Sequence, residues 1–110
     1  MKFGIEEKHL KLLSALFTEH LPESAEIYAY GSRVKGTQHE RSDLDLVIKN
    51  APADRHQLSA LQAAIDNSNF PLLCDLQYYT DINNPALKDH IDRRAELFPQ
   101  MSPHQTFSSS

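Results

Sequence analysis

The stretch that decides the fold runs Ala25-Glu26-Ile27-Tyr28-Ala29-Tyr30-Gly31-Ser32 and then, ten residues later, Asp43-Leu44-Asp45-Leu46-Val47-Ile48-Lys49. The first part is a short run of β-favouring residues closed by Gly31, and the second holds the densest apolar run in the chain. Ala25–Tyr30 and Leu44–Lys49 read as strands, joined by a polar segment from Ser32 to Ser42 with Gly36 as its turn. Successive strand residues face opposite sides, so Asp43 and Asp45 project together while Leu44 and Leu46 project the other way. Two carboxylates on one face repel unless a proton or a cation neutralises them. Oxygen-only ligands suit a hard cation such as Mg²⁺, which completes its shell with water or substrate phosphate. If the two strands pair antiparallel, the end of the first lies beside the start of the second. Gly31-Ser32 then meets Asp43 and Asp45 at one edge of the sheet. Gly31 allows a tight turn, and Ser32 adds a hydroxyl and a backbone N–H for a phosphate oxygen. Metal on one side and a phosphate cradle on the other is the layout that phosphoryl chemistry needs.

Outward from this core, Ile5, Leu12, Leu13, Leu16 and Phe17 recur at helical spacing and predict a helix from Ile5 to His20, ended by Pro22. Asp54 and Gln57 form a capping pair for a second helix through Leu58, Leu61 and Ile65. A third strand is predicted over Leu72–Tyr79. Within it Asp75 stands among apolar residues, where an unpaired carboxylate is costly, and it supplies the third acid that would share a metal and activate a hydroxyl. Asn84-Pro85 then provides an N-cap and first-turn proline for a last helix with Leu87 and Ile91 inside. Ala95–Phe98 either finishes that helix or forms a short edge strand. The order αββαβα predicts an α+β fold, a small mixed sheet with helices packed on it. One domain is expected over residues 1–99. Residues 100–110 carry no charged side chain and read as a flexible tail.

Composition narrows the function. The 110 residues carry 11 Lys plus Arg against 15 Asp plus Glu, a net charge of −4, which argues against a broad basic nucleic-acid face. The single cysteine, Cys74, excludes an internal disulfide and a cysteine-built zinc site, and fits a reducing cytoplasm. Glu6, Glu7 and Lys8 stand where a signal peptide needs an apolar run, and Leu46-Val47-Ile48 is far too short to span a membrane. The six histidines lack metal-binding spacing and read as surface residues. Cys74 faces away from Asp75 and belongs in the core rather than among nucleophiles. Tyr28, Tyr30, Tyr78 and Tyr79 pack in or beside the sheet. A Walker-type phosphate loop fails, because no lysine follows Gly36. Arg33 and Lys35 either neutralise phosphate charge or are simply solvated.

Gly31-Ser32-Arg33-Val34-Lys35-Gly36 followed by Ser42-Asp43-Leu44-Asp45-Leu46 resembles the minimal nucleotidyltransferases of the DNA polymerase β-like superfamily. The signature there is Gly-Ser, ten residues, Asp-x-Asp, with a third acid on a later strand, and the resemblance runs from about Ile5 to Phe98. It implies the polymerase β-like nucleotidyltransferase fold and transfer of a nucleoside monophosphate from ATP to an acceptor hydroxyl, with release of pyrophosphate. Asp43, Asp45 and Asp75 match the catalytic and metal-binding acids, with Asp75 placed as general base. Gly31 and Ser32 match the triphosphate-contacting pair, and Arg33 joins them as a nucleotide-binding candidate. The smallest members often pair with a HEPN-domain protein encoded next door, as antitoxin and toxin, and modify a toxin tyrosine with AMP. The resemblance therefore implies Mg²⁺, ATP, a hetero-oligomeric HEPN partner, no membrane and no nucleic-acid template. Two alternatives stand beside it: a small hydroxylated acceptor, and an antitoxin that neutralises its partner by binding alone.

Overall fold

A computed structural model of the chain describes residues 3–31 and 43–99. Helix α1 (Glu7–His20) leads into β1 (Glu26–Tyr30), β2 (Leu44–Lys49), α2 (Arg55–Asp66), β3 (Cys74–Tyr78), a 3-10 turn (Tyr79–Asp81), α3 (Pro85–Arg94) and β4 (Glu96–Leu97). The strands form one sheet in the order β3-β2-β1-β4. β1 pairs antiparallel with β2 and with β4, whereas β2 and β3 run parallel with α2 as the crossover between them. The small mixed sheet with helices on it is the predicted α+β architecture.

Strand parity sorts the side chains into two cores. Ile27, Ala29, Leu44, Leu46, Ile48, Cys74, Leu76 and Tyr78 face α1 and α2, where Leu13, Phe17, Leu61 and Ile65 meet them. On the opposite face Tyr30 and Val47 join Ile82 and Ile91 in a smaller cluster that seats α3. β2 is therefore buried on both faces, with Leu44, Leu46 and Val47 each fully inaccessible to water.

The caps follow from residue chemistry. The Asp54 carboxylate accepts from the backbone N–H of Gln57 at 3.1 Å, while the Gln57 side chain, instead of turning back on the cap, accepts from the Tyr78 hydroxyl at 3.1 Å. Asn84 Oδ1 accepts from the N–H groups of Ala86 and Leu87 at 2.9 and 3.4 Å, and Pro85 takes the first helical position where no N–H is needed. The far end of α3 is fastened by Lys49. Its Nζ lies 4.6 Å from the Tyr79 ring centroid, 5.0 Å from that of Tyr28 and 3.7 Å from Asp92 Oδ1.

Several boundaries differ from expectation, β1 among them, which starts at Glu26 rather than Ala25. α1 begins at Glu7, not Ile5, because Phe3 and Gly4 both adopt positive φ (58° and 70°) and turn the chain ahead of the helix. That turn stacks Phe3 on Phe98, ring centroids 5.8 Å apart, and Ile5 is buried just before the helix rather than within it. β3 is shorter than Leu72–Tyr79: only the Leu73 carbonyl reaches β2 ahead of Cys74, accepting from Leu44 N–H at 2.9 Å, and Tyr79 opens the 3-10 turn. Of the two readings of Ala95–Phe98, the structure takes the edge strand. Phe98 N–H donates to the Ile27 carbonyl at 2.7 Å, and the Phe98 ring sits edge-on to Phe17. The expected tail, 100–110, lies outside the described residues. Among the described residues no helix is long and apolar enough to cross a membrane.

Replacing Asn84 by Ala removes the N-terminal side-chain cap of α3 and should destabilise the protein by about 1 kcal/mol in urea-induced unfolding. An unchanged midpoint would show that α3 is held by its packing and by Lys49 alone.

Candidate active site

Asp45 is the second residue of β2 and Asp75 the second residue of β3, and the parallel register sets them directly side by side. Neighbouring strands stand about 4.8 Å apart, so the two carboxylates leave adjacent backbones on the same face. Asp43, one residue before β2, shares their parity and is exposed at the mouth of the site. Burial raises the pKa of Asp45 above the ordinary carboxylate value, and the charges of Asp75 and then Asp43 raise it further. Asp45 thus feels both neighbouring acids, as a carboxylate among like charges at one sheet edge must.

Gly31 closes β1 next to them with φ +88°. A Cβ built on Gly31 would stand 2.6 Å from Asp45 Oδ2, so both the backbone conformation and the carboxylate require glycine here. The first two strands pair antiparallel, as the sequence reading required, and Tyr30 lies opposite Asp45. Gly31 and the acid pair are thereby brought together. Ser32 and Arg33, expected to contact phosphate, and Lys35 lie outside the described residues.

The donor set is carboxylate oxygen, two groups in register and a third within electrostatic reach, which fits a hard divalent cation that keeps water or takes a phosphate oxygen. The three acids do not form a ready-made cage. Among the described residues no three of the Asp, Glu, His and Cys side chains close around a common point.

Sequence reading gave three polar neighbours of this site no part in it: Tyr30 and His90, read as packing and surface, and Gln77. Tyr30, expected as packing, is buried, but its hydroxyl accepts from Gln77 Nε2 at 2.5 Å. His90 of α3 sits edge-on to the Tyr30 ring, centroids 6.4 Å apart. Gln77 shares the strand parity of Asp75, a signal that was present in the sequence. His90 offered none, because its approach depends on where α3 docks. Cys74 lies on the opposite face, buried, and burial first, then the charges of Asp66 and the site acids, push its thiol up to about 12. It is a core residue, as its parity predicts.

At one edge of the mixed sheet the carboxylates thus stand beside a glycine turn. The family model "Polymerase beta, Nucleotidyltransferase" matches residues 12–102. The chain belongs to the polymerase-β nucleotidyltransferase family. It is 33% identical over 76 residues to the "Probable protein adenylyltransferase MntA" of Haemophilus influenzae, covering 68% of this chain and 66% of that relative, slightly under two thirds of its length. The fold is similar, with a TM-score of 0.60 and 21% identity, to a solved structure described as "Crystal structure of the toxin-antitoxin with AMP-PNP", over 90% of this chain and 78% of that one.

The folded state holds the Asp45 proton to a higher pH than the unfolded chain does, because its pKa is raised. In chelator, stability should therefore fall as pH rises from the ordinary carboxylate value through the raised one. Asp45→Asn should flatten that slope and raise the melting temperature near neutral pH by a few degrees, measured by circular dichroism. A steeper slope or a lower melting temperature in the variant would contradict the repulsion described here. Gly31→Ala, in contrast, should lower stability by at least about 1–2 kcal/mol from the left-handed backbone alone, with the methyl displacing Asp45 as well.

Proposed function

We propose that this chain is a Mg²⁺-dependent nucleotidyltransferase that moves AMP from ATP to a hydroxyl, a tyrosine, of a partner HEPN-domain toxin, and so acts as its antitoxin in the cytoplasm. The observation that carries the proposal is the in-register Asp45–Asp75 pair held against Gly31. The family membership supports the nucleotidyl transfer, and the relative named as a protein adenylyltransferase supports ATP as donor and protein as acceptor. The toxin–antitoxin complex with AMP-PNP, an ATP analogue, supports the kind of partner.

In this scheme Asp43, Asp45 and Asp75 would hold the metal, which when bound supplies positive charge to the triphosphate. Gly31 keeps the backbone at the end of β1 clear of the carboxylates, leaving its edge open to phosphate oxygens, with Ser32 and Arg33 as further phosphate contacts. Asp75, exposed on the outer strand, takes the proton of the acceptor hydroxyl. The freed oxygen bonds to the α-phosphorus, the bond from that phosphorus to the bridging oxygen breaks, and pyrophosphate leaves. In this scheme the acceptor hydroxyl arrives on the partner, within a hetero-oligomeric complex.

The test is incubation of the protein, its genomic neighbour's product, Mg²⁺ and α-labelled ATP. Label should appear on the neighbour, and Asp43→Asn should reduce it by at least about a hundredfold while leaving the circular dichroism spectrum unchanged. Equal labelling by the variant would overturn the assignment of the acids. Neutralisation of the toxin in cells by a variant lacking both Asp43 and Asp45 would point to occlusion instead.

A further inference from the structure

β3 is an outer strand of the sheet, and Asp75 stands on it. The bond from the Leu44 N–H to the Leu73 carbonyl sets the phase of the parallel ladder. In that phase Leu73, Asp75 and Gln77 turn their backbone groups toward β2, while Cys74 and Leu76 turn theirs outward. Among the described residues no strand pairs with the outward side, and no backbone carbonyl accepts from Cys74 or Leu76 N–H there. A row of unpaired ladder groups is a template for another extended chain.

Leu73 marks where such a chain would be gripped. It is 69% exposed, the most exposed large apolar side chain among the described residues. Extending the register one residue back from Leu44 and Cys74 sets Leu73 beside Asp43, and strand alternation gives it the face of Asp75. A lone exposed leucine is ordinary on a protein surface. This one shares its edge with the unpaired ladder groups and its face with three carboxylates.

Charge limits what can sit there. A second copy of this chain, joined edge to edge in one continuous sheet, would set its own Asp43, Asp45 and Asp75 near these three. Like charges so placed oppose association, and each chain carries −4 overall. The occupant is therefore a different protein, with a neutral or basic extended segment and an apolar side chain to cover Leu73.

We propose that the outer edge of β3 is the docking strip for the acceptor protein, which adds an extended segment there, covers Leu73 and so brings its hydroxyl to Asp75. The inference rests on the reading of Asp75 as the group that meets the acceptor, and it names the surface that joins the two.

The experiment mixes the full-length protein with its genomic neighbour's product and takes three readings: calorimetric affinity, label transfer from ATP at graded neighbour concentrations, and amide hydrogen exchange. Leu73→Asp should weaken binding, and raise KM for the neighbour, at least about tenfold while leaving kcat and ATP affinity unchanged. Leu73→Met, which keeps the apolar contact, should behave as the parent does. Complex formation should slow exchange at Cys74 and Leu76 in the parent protein, a reading that needs no variant to fold. Unchanged affinity in Leu73→Asp, or unslowed exchange at those two amides, overturns the proposal. A Leu73→Asp variant that loses ATP affinity in proportion overturns it too, by placing Leu73 in the nucleotide site. So does a parent dimer that Leu73→Asp splits in sedimentation, because the edge then belongs to a second copy. A parent that binds the neighbour through this edge yet transfers no label overturns the proposed reaction and upholds the docking strip. A parent that labels the neighbour with the β3 edge still exchanging freely does the reverse.

Discussion

The parallel register between β2 and β3 is the constraint on which the rest depends. It forces Asp45 and Asp75 onto adjacent backbones at the same height and on the same face. Asp45 cannot retreat, because its strand is buried on both faces and bonded along both sides. The raised pKa of Asp45 is the electrostatic record of that confinement. Folding alone would favour an amide or an apolar residue at this position, and a carboxylate there is a departure from the rules of stability of the sort found at functional sites. The neighbouring elements accommodate it. Gly31, having no Cβ, leaves room for Asp45 Oδ2, and nearby the Gln77 amide donates to the Tyr30 hydroxyl across β2.

Much of this could be read from residue order. Parity placed Asp43 and Asp45 against Leu44 and Leu46, and the structure keeps that division, with both leucines fully buried. Asp54 and Asn84 announced their helices, since a short side-chain acceptor before a polar-apolar period is a local signal needing no tertiary knowledge. What stayed hidden was set by distance along the chain. The Tyr30–Gln77 bond spans 47 positions, and the approach of His90 depends on how α3 docks. The start of α1 was misplaced for a similar reason: Ile5 fits the helical period, but Phe3 must reach Phe98 near the other end of the described chain, and the turn that takes it there displaces the helix.

The two faces of the sheet are unequal, and the site lies on the thinner one. α1 and α2 build the larger core, whereas α3 rests on Tyr30, Val47, Ile82 and Ile91 and is fastened at its far side through Lys49 between two tyrosine rings.

The position of the two aspartates in the strand order has a dynamic meaning. Asp45 belongs to a strand whose amides are engaged on both sides, where hydrogen exchange requires near-global unfolding. Asp75 belongs to the outermost strand, which can fray at a far smaller free energy. The carboxylate pair thus straddles a gradient of local stability, with one member fixed to the most protected backbone in the molecule and the other on its margin. Fraying of β3 would part the pair, whereas anything bound between the two would staple the margin to the centre and slow exchange at that edge.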